Sequence, residues 1–347
     1  MSSTHTCNVH KIIKWVRKQL IKLFSTLFSR EKASKYLQPV IDAANNKGYI
    51  ETFSNKADSL HLDIKNRYEE DIQASFVQVM SKLSYYFGKS KVRLAVDFQE
   101  HGFYGKTENM HIIGTAYKKE VYENAFKFIT ISILTGKKEE RIPLYALPWH
   151  IGQDLTESVL TLISTVKPWL GKIEIIQFDR GFFSKELIYF LEENKFPYLI
   201  HMPCMGKQRK ELVRKTKSFY SGKYNGKFCA DKTTYNVQSN FYVCKNVDEK
   251  HWLFVSSIQF KNKFQVRNLY KNRWQIETNY AVHNSARIMS KSAHYLIRYF
   301  YYLVDTLLQV LWRLCASKAA FKTFLFSMVI GVENMLMRKP GFAGVIT

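Results

Sequence analysis

The apolar positions change period once along the chain, near residue 90. Up to about residue 88 they recur every three or four residues, which predicts helices over 11–28, 31–45, 58–69 and 71–87, with Asp58, Asn66 and Ser75 as caps or breaks. In the first of these, Ile13, Val16, Leu20, Leu23 and Leu27 line one side, while Lys14, Arg17, Lys18 and Lys22 lie mostly elsewhere. That stripe could meet a membrane or DNA, but its expected partner is a protein core. The interrupting bases and the lack of a small-residue cleavage site argue against a signal peptide.

From residue 91 the period shortens. "VRLAVDF", "MHIIGTAYKK" and "AFKFITISILTG", with a turn at Gly136-Lys137, predict three antiparallel strands. A helix over 153–166, the strand "KIEIIQFD", a helix opened by Ser184 and the strand "PYLIHMP" follow. The order β-β-β-α-β-α-β is that of an α/β mixed sheet with helices on both faces. Residues 205–260 carry short β-like segments with turns at Ser221-Gly222 and Asn225-Gly226, and read as an inserted all-β subdomain. Helices are expected again over 264–289 and 293–316. The chain thus divides into a helical N-terminal region (1–88), an α/β domain (89–204 and 261–320), the β-rich insertion (205–260) and a helical C-terminal tail (321–347). The run beginning at Tyr295 is apolar, but Arg298, Asp305 and Arg313 interrupt it at intervals too short for a bilayer, so a buried helix is expected.

Composition narrows the function. Among 347 residues, 46% are hydrophobic and 15% aromatic, as in a packed globular protein. Lys and Arg number 52 against 29 Asp and Glu, a formal charge of +23, which makes a polyanion the leading partner and nucleic acid the first choice. The five cysteines are odd in number and widely spaced, with no Cys-x2-Cys pair, and read as reduced thiols of a cytoplasmic protein.

Against this basic background three acids stand out. Asp97 ends the first predicted strand and Asp179 the fourth, and two such strands lying parallel would bring both acids to one sheet edge. Glu277 shares a helical face with Tyr270, Trp274 and Ala281. Each also has a plain structural reading: a strand end for Asp97, a turn cap in "FDRGFFS" for Asp179, and an ion pair with Arg273 for Glu277. Three carboxylates within about 4 Å repel by roughly 4 kcal/mol per pair, so the cluster would require cations. Oxygen donors suit Mg²⁺ or Mn²⁺, and two such ions serve phosphodiester cleavage or transfer.

"AVDFQE", "FDRGFFS" and "YKNRWQIETNY" resemble the three acidic motifs of the ribonuclease-H-like DDE transposases, in the insertion-sequence branch with the Tyr-x2-Arg-x3-Glu-x6-Lys signature. The likeness spans about residues 90–316. It implies a ribonuclease-H-like catalytic domain, with Asp97, Asp179 and Glu277 as catalytic and metal-binding triad for two Mg²⁺ or Mn²⁺ ions. Tyr270 and Arg273 become terminal-phosphate contacts, and Trp252 the indole that stacks a flipped base during hairpin formation. The motif lysine falls at Asn284, with Arg287 further along to take over its charge. Arg180 and the basic segment with Lys207, Arg209, Lys210 and Arg214 complete the expected DNA contacts. The implied function is cut-and-paste transposition at terminal inverted repeats, by a homodimer on DNA at the nucleoid of a prokaryotic cytoplasm, without a membrane. A structure-selective nuclease, a catalytically impaired DNA-binding remnant and a membrane-surface protein held by residues 11–28 are the alternatives.

Overall fold

The computed structural model describes residues 3–87, 90–105, 109–114, 122–134, 141–245, 251–271, 273, 287–316 and 320–330. Helices α1 (Ser3–Leu27), α2 (Arg30–Asn46), α3 (Ile50–Phe53), α4 (Ala57–Lys65) and α5 (Glu69–Leu83) come first. The α1 stripe does meet a protein core: Ile13, Val16, Leu20, Leu23 and Leu27 are all buried. Part of what they pack on is the run from Tyr295, which forms α10 (Tyr295–Ala316) and lies inside the protein. Phe24 meets Phe300 edge-on at 5.4 Å, and His61 Nε2 lies 3.0 Å from the Tyr301 hydroxyl. Among the described residues no helix is long and apolar enough to cross a membrane.

The three charges of α10 are each accommodated. Asp305 accepts the Ile288 amide, Arg298 donates through Nε to the Ser292 carbonyl at 2.8 Å, and Arg313 lies 3.9 Å from the centre of the Trp312 ring. Helix α11 (Phe321–Ile330) follows, and Arg17 of α1 reaches the Met328 carbonyl at 3.2 Å.

The described residues also form one sheet of nine strands: β1 (Val92–Phe103), β2 (Ile112–Gly114), β3 (Asn124–Leu134), β4 (Arg141–Trp149), β5 (Ile173–Phe178), β6 (Tyr198–Met202), β7 (Phe219–Ala230), β8 (Thr233–Lys245) and β9 (His251–Ser256). Their spatial order is β2-β3-β1-β5-β6-β9-β8-β7, with β4 also on β3. Helices α6 (Leu155–Val166) and α7 (Lys185–Glu193) connect β4 to β5 and β5 to β6. Asp154 caps α6 by accepting from Glu157 N at 2.7 Å, and Ser184 caps α7 as expected.

The structure corrects the sequence reading at several places: Asp97 lies within β1 rather than at its end, and residues 287–289, expected in the helix 264–289, are not helical. The second expected strand is the three-residue β2 in its described part, and a further strand, β4, lies in "RIPLYALPW", which was assigned none. Pro143 and Pro148 hide it, and they are tolerated because, among the described residues, β4 pairs only with β3 and its other side carries no ladder. The expected all-β insertion begins with a helix, α8 (Lys207–Lys215), and its strands extend the main sheet through the β6–β9 pairing. The turns expected at Gly222 and Gly226 are absent: both glycines sit within β7, opposite Phe241 and Val237. There the rings of Tyr220 and Tyr224 lie over the glycine two residues on, where a Cβ would collide with Tyr220 at 2.6 Å and press on Tyr224 at 3.0 Å. The hairpin turns instead at Asp231 and Lys232, both at positive φ (47° and 62°).

Candidate active site

Strands β1 and β5 run parallel, with Val96 opposite Phe178. The next residue on each is an acid, so Asp97 and Asp179 project from one face at the point where β5 ends. The face is fixed by burial: Phe178 and Val96 join the larger core, while Ile175 and Leu199 on the opposite face join a second cluster with Tyr242, Phe254, Val266 and Tyr270. Alternation puts both acids on this second face. Helix α9 (Lys263–Lys271) covers it, pressing Val266 and Tyr270 onto the sheet.

Docking α9 places its last turn over the acids. The Tyr270 hydroxyl donates to Asp179 Oδ1 at 3.2 Å. Arg273 spans the pair, with Nη1 3.4 Å from Asp97 Oδ2 and Nη2 3.4 Å from Asp179 Oδ1. Its side chain is only 7% exposed, against 14% for Asp97 and 36% for Asp179. Burial works against the charged form of Asp179, but His201, the Arg273 guanidinium and the Arg180 backbone N–H outweigh it and hold the carboxyl well below its usual range. Burial likewise opposes the Arg273 charge, which Tyr270, Asp97 and Asp179 more than restore. Burial raises the Tyr270 phenol, so it stays a donor. Arg273 Nε is buried with no hydrogen-bond partner among the described residues, which leaves one donor of the fork unused.

Two neighbours were missed from sequence. His201 on β6 continues the same row, Asp97, Asp179, His201, with Nδ1 3.8 Å from Asp179 Oδ1 and its ring packed on Phe254 and Tyr270. Gln177, two residues before Asp179 and fully buried, has a side-chain amide with no partner among the described residues. The signal for both was available as polar residues breaking the apolar strands "KIEIIQFD" and "PYLIHMP" on the face of the acid.

The remaining expected site residues divide. Trp252 on β9 is half-buried and meets the Tyr270 ring edge-on at 5.9 Å, so it stands one ring away from the acid pair. Arg180 is exposed in the turn after Asp179. Lys207, Lys210 and Arg214 are exposed on α8, whereas Arg209 lies over the Phe183 ring at 5.5 Å and ties α8 to that turn. Arg287 is not beside the acid pair: it lines a cavity at the far end of β1. Glu277, Trp274 and Asn284 lie outside the described residues.

Among the described residues no three His, Cys, Asp or Glu side chains form a metal-holding group. The described donors nevertheless fit a hard divalent ion in kind, because two carboxylates converge on a single cation, here the Arg273 guanidinium. An ion there would need further oxygen donors besides Asp97 and Asp179.

Residues 155–301, less than half of the chain, match the model of the transposase DDE domain family. The match includes Asp179 and Arg273 and leaves out Asp97. No curated protein matches the chain. Its fold is similar to that of the piggyBac transposase in a cryo-EM structure of its synaptic complex with hairpin DNA, with a TM-score of 0.53 and 12% identity, over 94% of this chain and 70% of that one.

Proposed function

We propose that this protein is a DDE transposase of the insertion-sequence kind, which cleaves DNA at terminal inverted repeats and joins the freed ends to a target. The observation that carries the reading is the convergence of Asp97 and Asp179, from adjacent parallel strands, under one buried arginine. A charge of +23 supplies the attraction for a polyanionic substrate, and the family match over 155–301 supports the same reaction class.

In this reading Asp97, Asp179 and Glu277 hold two divalent ions of the Mg²⁺ or Mn²⁺ type. Such ions, when bound, lower the pKa of an attacking water and offset charge on a leaving oxygen. The chain's own residues do the rest. The sheet fixes the two aspartates at the spacing of neighbouring strands. Tyr270 orients Asp179 by its hydroxyl, and the Arg273 charge faces both aspartates and helps hold Asp179 ionised. Arg273, with Nε unused, then turns its fork to a phosphate of the bound end. Trp252, beside Tyr270, stacks an unpaired base at about 1 to 3 kcal/mol while a hairpin forms. Two copies pair two ends.

The test is cleavage of duplex DNA taken from the flanks of the gene, with Mg²⁺ and with chelator. Asp97→Asn, Asp179→Asn and Glu277→Gln each abolish cutting and keep DNA binding; cutting that survives all three substitutions refutes the assignment. Strand-transfer products separate a transposase from a structure-selective nuclease. Asn284 at the motif lysine position favours a second reading, a DNA-binding remnant without turnover, for which the same assay gives binding and no product.

A further inference from the structure

A separate cavity of about 390 Å³ opens where β1 runs past the end of β5. His101 to Gly105 form one wall, the segment Arg287–Ala293 another, and Tyr49 a third. The second wall is held in place by the N-terminal region. Met289 N donates to the Gly48 carbonyl at 3.0 Å, and Glu51 accepts from Ser290 Oγ at 2.7 Å and Lys291 N at 2.8 Å. The cavity is therefore built from three distant parts of the chain rather than left between loose loops.

The buried cation in its lining is Arg298, which is 9% exposed. Nε is committed to the Ser292 carbonyl, and the guanidinium is gripped by the rings of Phe103 and Phe126 at 5.7 and 5.2 Å. No hydrogen bond joins its two Nη groups to a described residue, and Arg298 lines the cavity. Lys291 stands exposed at the mouth beside Tyr49, and Arg287 lies in the wall. Burial lowers Arg298 to about 10 against the opposing effects of Glu51 and Tyr49, and Arg287 pushes it the same way. A fixed, half-used guanidinium fork in an aromatic clamp, with two more cations at the rim, is complementary to a phosphate.

We propose that this cavity is a second phosphodiester-binding site, in which Arg298, with Lys291 at the mouth, holds a backbone phosphate of the nucleic-acid strand whose cleavage point lies at Asp97 and Asp179. The partner class rests on the nucleic-acid reading above. His101 is four residues beyond Asp97 on one strand, roughly 13 Å at about 3.3 Å per residue. That spacing puts the cavity within reach of a strand phosphate that is not the one being cut. The site thus fixes the register of the strand away from the chemistry.

The test measures binding of a fluorescein-labelled 20-base-pair duplex by the full chain, as anisotropy across a salt series, with thermal unfolding of each variant as a folding check. Arg298→Gln and Lys291→Gln each weaken binding five- to tenfold and lower the slope of log affinity against log salt by about one unit, while Arg298→Lys keeps the slope. Adenosine monophosphate at millimolar concentration leaves the wild-type melting temperature unchanged. Should Arg298→Gln fail to fold, Lys291→Gln and Lys291→Glu decide alone, since Lys291 is exposed. Wild-type affinity and slope in the folded variants overturn the proposal. So does a nucleotide-induced melting shift with unchanged duplex binding, which marks a free-nucleotide pocket. The readout is binding, so a failed catalytic assignment, seen as cutting that survives loss of Asp97, is told apart from a failure of this site.

Discussion

Replacing Arg273 by Met removes the one cation that two half-buried acids share. Each ion pair spans 3.4 Å, which corresponds to roughly 5 kcal/mol at an effective dielectric of about 20 before desolvation is counted. The Asp179 pair is discounted further, since that carboxylate is 36% exposed and partly screened by water. Breaking a buried pair by removing one partner costs on the order of 3 to 5 kcal/mol, and the lower end is expected here, about 3 kcal/mol. Chemical unfolding at pH 7 measures it. The sign with pH follows from the depressed Asp179 pKa, a contribution present above the unfolded carboxyl value of about 3.9 and lost as pH falls through the lower folded value. Without Arg273 that depression shrinks, so the gap between wild type and variant keeps its full size down to about pH 4 and narrows only below it. Millimolar Mg²⁺ raises the stability of Arg273→Met more than that of wild type, because a divalent ion then meets two acids that have lost the Arg273 charge. A gap that is the same at pH 7 and pH 2, or below about 1 kcal/mol at pH 7, refutes the reasoning.

Other outcomes are expected from the same structure. Trp252→Ala lowers hairpin product while sparing the first nick in a denaturing-gel assay, and equal loss of both removes its stacking role. Lys207→Gln and Lys210→Gln, on the exposed face of α8, each lower the salt slope of DNA binding by about one unit; an unchanged slope leaves that face merely solvated. Asp305→Asn raises the melting temperature at pH 7, because burial pushes this acid well above its usual range and its contribution to stability is lost as pH rises above the unfolded value; the gain disappears near pH 4. A stabilisation that does not depend on pH would contradict a raised pKa at Asp305.

Much of the fold was legible because the period of apolar residues is a local property. The α1 stripe, the strand "VRLAVDF", the Ser184 cap and the burial of the run from Tyr295 all follow from side chains a turn or a pleat apart. The misreadings have equally local causes. Pro143 and Pro148 mask an edge strand whose tolerance of proline depends on having no neighbour, and Gly222 and Gly226 mimic turns while serving as beds for tyrosine rings. The insertion looked separate because nothing in "HWLFVSS" announces that β9 will pair with β6.

By itself the sequence determined that Asp179 ends an apolar strand and that Asp97 lies on another, that those strands could run side by side, and that the chain carries enough positive charge to seek a polyanion. Only the tertiary structure decided what surrounds the acids: that Arg273 bridges them, that His201 extends their row, and that Arg298 faces an open cavity while Asp305 holds a backbone amide. The reason is range. Periodicity and charge are sums over neighbours in the chain, whereas the partner of a buried ion is chosen by the packing of elements up to 176 residues apart, as Arg273 is from Asp97.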